Sequence, residues 1–248
     1  MKIASERDIE GLRAIGRVVA QTLAEMAAAI EPGITTLELD KIGARALLKA
    51  KARSAPRCVY SFPGDTCISI NEEAAHGIPG DRVLAAGDVI NIDVSAEMDG
   101  YFGDTGATFL VPPEDELKRR LLATAEQALA RAMQAAVAGA RLNLIGRAIE
   151  TTAEQAGFTT LRDLGSHGVG RSLHEEPRFI PNYHDPLDTR RLHDGQVITI
   201  EPFVSTSSVG CRTAADGWTL ISGHNNLSAQ FEHTMVIRDG EPLIMTLP

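Results

Sequence analysis

Two stretches decide the fold: Leu84-Ala-Ala-Gly87-Asp-Val89-Ile90-Asn-Ile92-Asp93 and Leu192-His-Asp-Gly195-Gln-Val197-Ile198-Thr-Ile200-Glu201. They agree in Leu, Gly, Val, Ile and Ile, and each ends in a carboxylate. The offset is constant, 108 residues from Asp93 to Glu201. Each reads as a turn running into a buried strand. An ionised acid there loses its water unless something pairs with it. Two acids at matching places in a repeated strand predict a site shared by two halves, with a cation between them.

The flanking sequence repeats as well. Ile9, Leu12, Ile15, Val19, Leu23, Met26 and Ile30 recur at a helical period, predicting a helix over 6–30 between Ser5 and Pro32-Gly33. A second helix is expected from Thr35 or Thr36 to about Lys51. Strand-like segments then run from about Val59 to Val94, and Asp99-Gly100 signals a hairpin. After Pro112-Pro113 the order restarts: a long helix over 114–138, a shorter one over 144–155 closed by Gly157, then strands at 197–201 and 229–238. Gly-x-Val-Ile-x-Ile alone is an ordinary turn-strand pattern, but the repeated helix order favours a duplication. The expected architecture is α+β: one domain over 1–248, with pseudo-symmetric halves at about 5–111 and 112–240. Helices should cover one face of a largely antiparallel sheet.

Composition narrows the function. A 248-residue chain with 44% hydrophobic residues can bury a sizeable core. Its net charge of −9 argues against a nucleic-acid footprint, which needs a basic face. No apolar run of about 18 residues is present to span a membrane. The first ten residues lack a signal-peptide core. Three cysteines, Cys58, Cys67 and Cys211, fit no zinc-ligand spacing and point to a reducing cytoplasm.

If Asp99-Gly100 forms a two-residue turn, Met98 faces Tyr101 and Ser95 faces Asp104. Strand alternation puts Asp93 and Asp104 on the same side of neighbouring strands. Like charges placed that way repel, unless one is protonated or a divalent cation lies between them. Gly103 and Gly106 beside Asp104 suit close backbone approach or a bulge. A turn aspartate and a strand-end acid would read the same way. The second half supplies Glu201 and Glu232, the latter inside a strand-like run where alternation on a solvated face is the plainer account. His167, His76 and His174 sit in Gly- or Pro-containing words, and any one of them alone could be a structural histidine. Four carboxylates and an imidazole without a thiolate would suit Mn, Fe, Co or Zn in a hydrolytic pair.

The ordered series Asp93, Asp104, His167, Glu201, Glu232 resembles the dinuclear pita-bread metallopeptidases, and within them the type I methionine aminopeptidases. The words that carry the likeness are Cys67-Ile-Ser-Ile-Asn71-Glu72 leading to His76-Gly-Ile-Pro79, Asn91-Ile-Asp93, Gly103-Asp104-Thr105 and Ser166-His167-Gly-Val-Gly170. His174-Glu-Glu-Pro177, Ile200-Glu201-Pro202, Asp216-Gly-Trp218-Thr219 and Ser228-Ala-Gln-Phe-Glu232-His233-Thr234 complete them. The resemblance runs from about Asp8 to the C-terminus.

By that resemblance the fold is the pita-bread one, with a curved antiparallel sheet, and two divalent ions are bound. Asp93 would chelate one and His167 the other. Asp104 and Glu232 would bridge, and Glu201 would bind metal and help take a proton from the attacking water. His76 would sit near the amide, and His174 would hydrogen-bond the scissile carbonyl oxygen. The implied reaction removes an N-terminal methionine from nascent chains when the second residue is small, in a cytoplasmic monomer working at or near the ribosome. Phe62, Cys67 and Trp218 match the family's methionine pocket. Val59 stands where an aromatic is common, Leu173 where Phe is common, and Ser166 where glycine is. The gaps of 34 residues from His167 to Glu201 and 31 from Glu201 to Glu232 leave no room for the roughly 60-residue insertion of type II enzymes. Two other readings stay open: a pita-bread aminopeptidase of altered specificity, and a non-catalytic nascent-chain-binding member.

Overall fold

The strands that hold the repeated words both begin at a glycine the backbone requires. Gly87 (φ 88°) and Gly195 (φ 77°) adopt left-handed conformations that cost a Cβ-bearing residue about 1 kcal/mol or more. In the computed structural model, which describes residues 1–113 and 115–248, the two turns share their hydrogen bonds. Gly87 N–H donates to Val111 O, and Gly195 N–H to Ile237 O. The Asp88 carboxylate accepts from Ala85 N–H, and the Gln196 amide oxygen accepts from His193 N–H. Leu84 and Leu192, each 1% exposed, are buried at equivalent points. The match between the two words therefore extends to backbone geometry.

Among the described residues, five helices flank the strands. Helix α1 spans Glu6–Ala27 and α2 spans Thr36–Lys49, the latter opened by a capping box in which Thr35 and Glu38 satisfy each other's backbone N–H. Helix α3, Ala55–Tyr60, corrects the strand expected around Val59. Ser54 caps it by accepting from Arg57 N–H, Pro56 sits in its first turn, and Ser61 ends it in a left-handed conformation. Helices α4 (Glu116–Ala135) and α5 (Asn143–Gln155) repeat the long-short order. Glu114, where the long helix was expected to begin, lies outside the described residues. None of the helices, among the described residues, is long and apolar enough to cross a membrane.

All strand pairs are antiparallel. In the first half, Val89–Met98 and Tyr101–Leu110 form a hairpin, with Cys67–Ile70 and Arg53–Ser54 along its other edge. In the second half, five strands run in the order Leu243–Ile244, His233–Val236, Val197–Ile200, Gly165–Gly168, Glu175–Pro181. Helices α1 and α2 pack their apolar stripes on the hairpin, with Leu12, Ile15, Val19 and Met26 fully buried. Helices α4 and α5 do the same for the second half through Leu121, Ile145 and Ile149. The first core also takes in Val169, Val197 and Val236, so the halves share buried surface.

The seam between the halves is polar. Thr234 Oγ1 donates to Asp104 O and accepts from Asp104 N–H, Thr105 Oγ1 donates to Glu232 O, and Glu232 N–H donates to Gly106 O. Gly106 leaves room for the Gln230 side chain here, since a Cβ would lie 2.5 Å from Gln230 Oε1.

Candidate active site

The hairpin fixes two carboxylates by register alone. Ser95 pairs with Asp104 and Met98 with Tyr101, as the turn at Asp99-Gly100 requires. No residue is inserted, so Gly103 and Gly106 mark close approach and not a bulge. Asp93 and Ser95 both face the cavity, as alternation demands. Asp93 also pairs with Cys67 on its other side, which brings that thiol to the same wall.

The second half uses breaks in its strands. Val197–Ile200 belongs to the five-stranded sheet and Phe203–Ser205 to a three-stranded one, so the chain changes sheets at Glu201-Pro202. Ser228–Gln230 and His233–Val236 divide the same way, with Glu232 at the change. Glu232 is thus not inside a continuous strand, and its N–H bonds across the seam. Glu201 N–H finds its acceptor in Ser166 Oγ at 2.9 Å, so the serine in the expected glycine position is a backbone anchor. His167 lies where the Gly165–Gly168 strand shifts register against its neighbour. Its Nδ1 is 3.0 Å from Gly168 O, a carbonyl that can only accept. The ring therefore carries its proton on Nδ1 and leaves the Nε2 lone pair free.

All five side chains line one cavity of about 250 Å³. His167 Nε2 is 3.5 Å from Glu201 Oε1 and 3.8 Å from Asp104 Oδ2. Asp104, His167 and Glu232 offer ligand atoms all within 4.8 Å of one another. Burial pushes the Asp93 carboxyl up to about 6. Burial and then the neighbouring acids raise Asp104, Glu201 and Glu232 well above the usual range. Burial, and then His174, push His167 down to about 3. Among the described residues, Asp104 Oδ1 and Glu232 Oε1 are buried without a hydrogen-bond partner. Unpaired buried carboxylate oxygens are costly, and a cation among them relieves both the repulsion and the missing partners. Hard oxygen donors with one imidazole fit a divalent transition metal.

The model of metallopeptidase family M24 matches residues 10–239. The chain belongs to this family. It is 46% identical to methionine aminopeptidase 2 of Bacillus subtilis, over 99% of both chains. It is 41% identical to a methionine aminopeptidase of Staphylococcus epidermidis, over 99% of this chain and 98% of the other. Among solved structures, the methionine aminopeptidase of Thermotoga maritima superposes with a TM-score of 0.95 at 33% identity, each chain covered in full. The fold is thus the pita-bread fold, and this M24 member is a hydrolase of the metallopeptidase class.

Part of the remaining wall of the M24 cavity is apolar. Phe62 and Trp218 meet edge to face, ring centres 5.3 Å apart at 86°, beside Cys67 and Leu173. His76 and His174 also line it, and burial, then His76, lowers His174 to about 4. His76 itself has φ 55°, an uncommon conformation for a non-glycine residue, of the kind that clusters at functional sites. Val59 departs from expectation: it is 41% exposed and outside the lining, because helix α3 turns the next residue, Tyr60, into the cavity instead. Pro56 joins Tyr60 there. A Ser54 cap with Pro56 two residues on was the sequence signal for this helix.

Proposed function

We propose that the chain is a type I methionine aminopeptidase, hydrolysing the first peptide bond of new chains whose second residue is small. The observation that carries this is the joining, in one cavity, of a five-residue ligand cluster with an apolar wall of Phe62, Cys67, Leu173 and Trp218. A thioether is polarisable and packs well on aromatic edges, which suits methionine to that wall. Asp93, Asp104, His167, Glu201 and Glu232 would hold two divalent ions, from Mn, Fe, Co or Zn. When bound, such a pair lowers the pKa of water and polarises a carbonyl oxygen.

The chain's own groups do the rest. Glu201, with its carboxylate inside the cavity, accepts the proton of the attacking water. His174 donates a hydrogen bond to the scissile carbonyl oxygen as negative charge develops there. His76, on the same wall, faces the amide that is cleaved and assists proton movement. Phe62, Leu173 and Trp218 exclude water from around the side chain and orient the bond. The cytoplasm, where nascent N-termini arise, is the assigned location.

A panel of peptides differing only in the first residue tests the reading. Met-Ala-Ser should be cleaved far faster than Leu-Ala-Ser by metal-loaded protein; equal rates would sink the methionine assignment. Leu173 favours one competing reading, an aminopeptidase of broader specificity, since a branched aliphatic stands where the family often has Phe. The same panel separates the two. A non-catalytic binding role is disfavoured by the convergence of all five ligand positions, and failure to bind any divalent metal would restore it.

A further inference from the structure

Two imidazoles lie side by side in the cavity, and the protein treats their Nδ1 atoms differently. His167 and His174 have ring centres 4.0 Å apart at 32°. Nδ1 of His167 faces the Gly168 carbonyl, an acceptor, which puts the proton on Nδ1. Nδ1 of His174 instead lies 2.8 Å from the hydroxyl of Tyr60, whose ring is tilted 59° to the imidazole at 5.6 Å. A phenol is a better donor than acceptor, and an sp² ring nitrogen is the better acceptor of the two. With Tyr60 O–H donating to Nδ1, the single proton of a neutral imidazole sits on Nε2, the nitrogen left for the cavity.

We propose that Tyr60 is a positioning residue for His174: its hydroxyl holds the Nε2–H tautomer, so that the ring presents a hydrogen-bond donor to the substrate carbonyl. The two stacked histidines are thereby set in opposite tautomers, one offering a lone pair and the other a proton. Nothing along the local sequence announces this, because the partners are 114 residues apart. The device depends on helix α3. Ser61, at φ 59° and ψ 33°, ends that helix directly after Tyr60 and leaves its ring at the cavity mouth. Burial against the cavity raises the phenol above its usual value, so it keeps the proton it donates. The proposal rests on the carbonyl-binding role given to His174 above.

The test combines spectroscopy with kinetics on zinc-loaded, ¹⁵N-labelled protein. Long-range ¹H–¹⁵N spectra report the tautomer of each of the seven histidines, with His174 assigned by its loss in His174→Ala. The wild type should show His174 as the Nε2–H form, and Tyr60→Phe should shift it towards a mixture. Because Phe keeps the ring, KM for Met-Ala-Ser should stay within about twofold, while kcat falls by about three- to tenfold, the loss of one orienting hydrogen bond. An Nδ1–H His174 in the wild type overturns the proposal, as does a shifted tautomer with unchanged kcat. If no methionyl peptide is cleaved by the wild type, the functional reading fails while the spectra still decide the tautomer.

Discussion

The two halves reach the same point in space with different backbone. The first half uses a hairpin of ten paired residues on each side, unbroken in register, and places aspartates on it. The second half interrupts its strands and puts glutamates at two places where the chain passes from one sheet to another. The difference shows in the backbone. The regular hairpin satisfies its backbone groups through its own ladder, whereas a sheet change costs ladder hydrogen bonds. Ser166 Oγ accepts from Glu201 N–H and Gly106 O from Glu232 N–H, replacing the lost partners.

The largest effects should come from removing a charge on either side of that comparison. Asp104→Asn and Glu201→Gln should each cut turnover on the order of a thousandfold, since several kcal/mol of charge stabilisation is lost at 1.36 kcal/mol per decade. Initial rates on Met-Ala-Ser with excess metal would show it, and retention of more than a tenth of the activity by either variant would break the equivalence of the halves. Next comes His174→Ala, expected to lower kcat by roughly ten- to a thousandfold while leaving metal affinity intact. Parallel steady-state kinetics and calorimetric metal titration would check both parts.

A smaller effect sharpens the contrast between regular strand and sheet change. Gln230 Nε2 donates to Glu232 Oε2 at 3.0 Å, and Gln230 Oε1 accepts from Asn91 Nδ2 at 2.8 Å. Gln230→Leu should therefore weaken metal binding by roughly ten- to a hundredfold, the usual cost of losing such a support. Ser95→Ala, on the unbroken hairpin, should barely change it; equal losses in the two titrations would remove the distinction. The smallest effect concerns the strap that ties the second half's loop to the first. Arg171 reaches Asp8 Oδ1 at 2.6 Å and Gly100 O at 3.2 Å, and lies over the Tyr101 ring. The Asp8 carboxyl is held below its ordinary value, first by Ala4 N–H and then, against the opposing effect of burial, by Tyr101, Ser5 and Arg171. Its stabilisation is therefore complete above the unfolded-state value and is lost as pH falls through the lower folded one. Melting temperatures of wild type and Asp8→Asn should differ by a few degrees near pH 6, and the difference should shrink as pH falls below the ordinary carboxylate value and through the lower folded one.

Much of this was legible in the chain itself. The repeat at Leu84–Asp93 and Leu192–Glu201 foretold the matched turns, and Asp99-Gly100 foretold the Ser95–Asp104 register, because both rest on local rules of turn and pleat. The ordered ligand words named five side chains that line one cavity. What escaped reading was set by distance along the chain or by change of sheet. Helix α3 reads as strand from the sequence because six residues are too few to show a period. Glu232 read as strand interior because Gln230, Glu232 and Thr234 alternate regularly, although Phe231-Glu232 is where pairing changes partners. Tyr60 and Gln230 make contacts with residues far away in sequence, and the sequence points to Val59 where its neighbour Tyr60 lines the cavity.

The polar seam described above has a consequence for how the chain matures. Asp93 and Asp104 come from one side of it, and His167, Glu201 and Glu232 from the other. A chain with only one half in place offers at most two or three of the five ligand groups. Metal bound by all five groups would therefore depend on assembly: tight binding would report that Thr105 and Thr234 have found each other's strands.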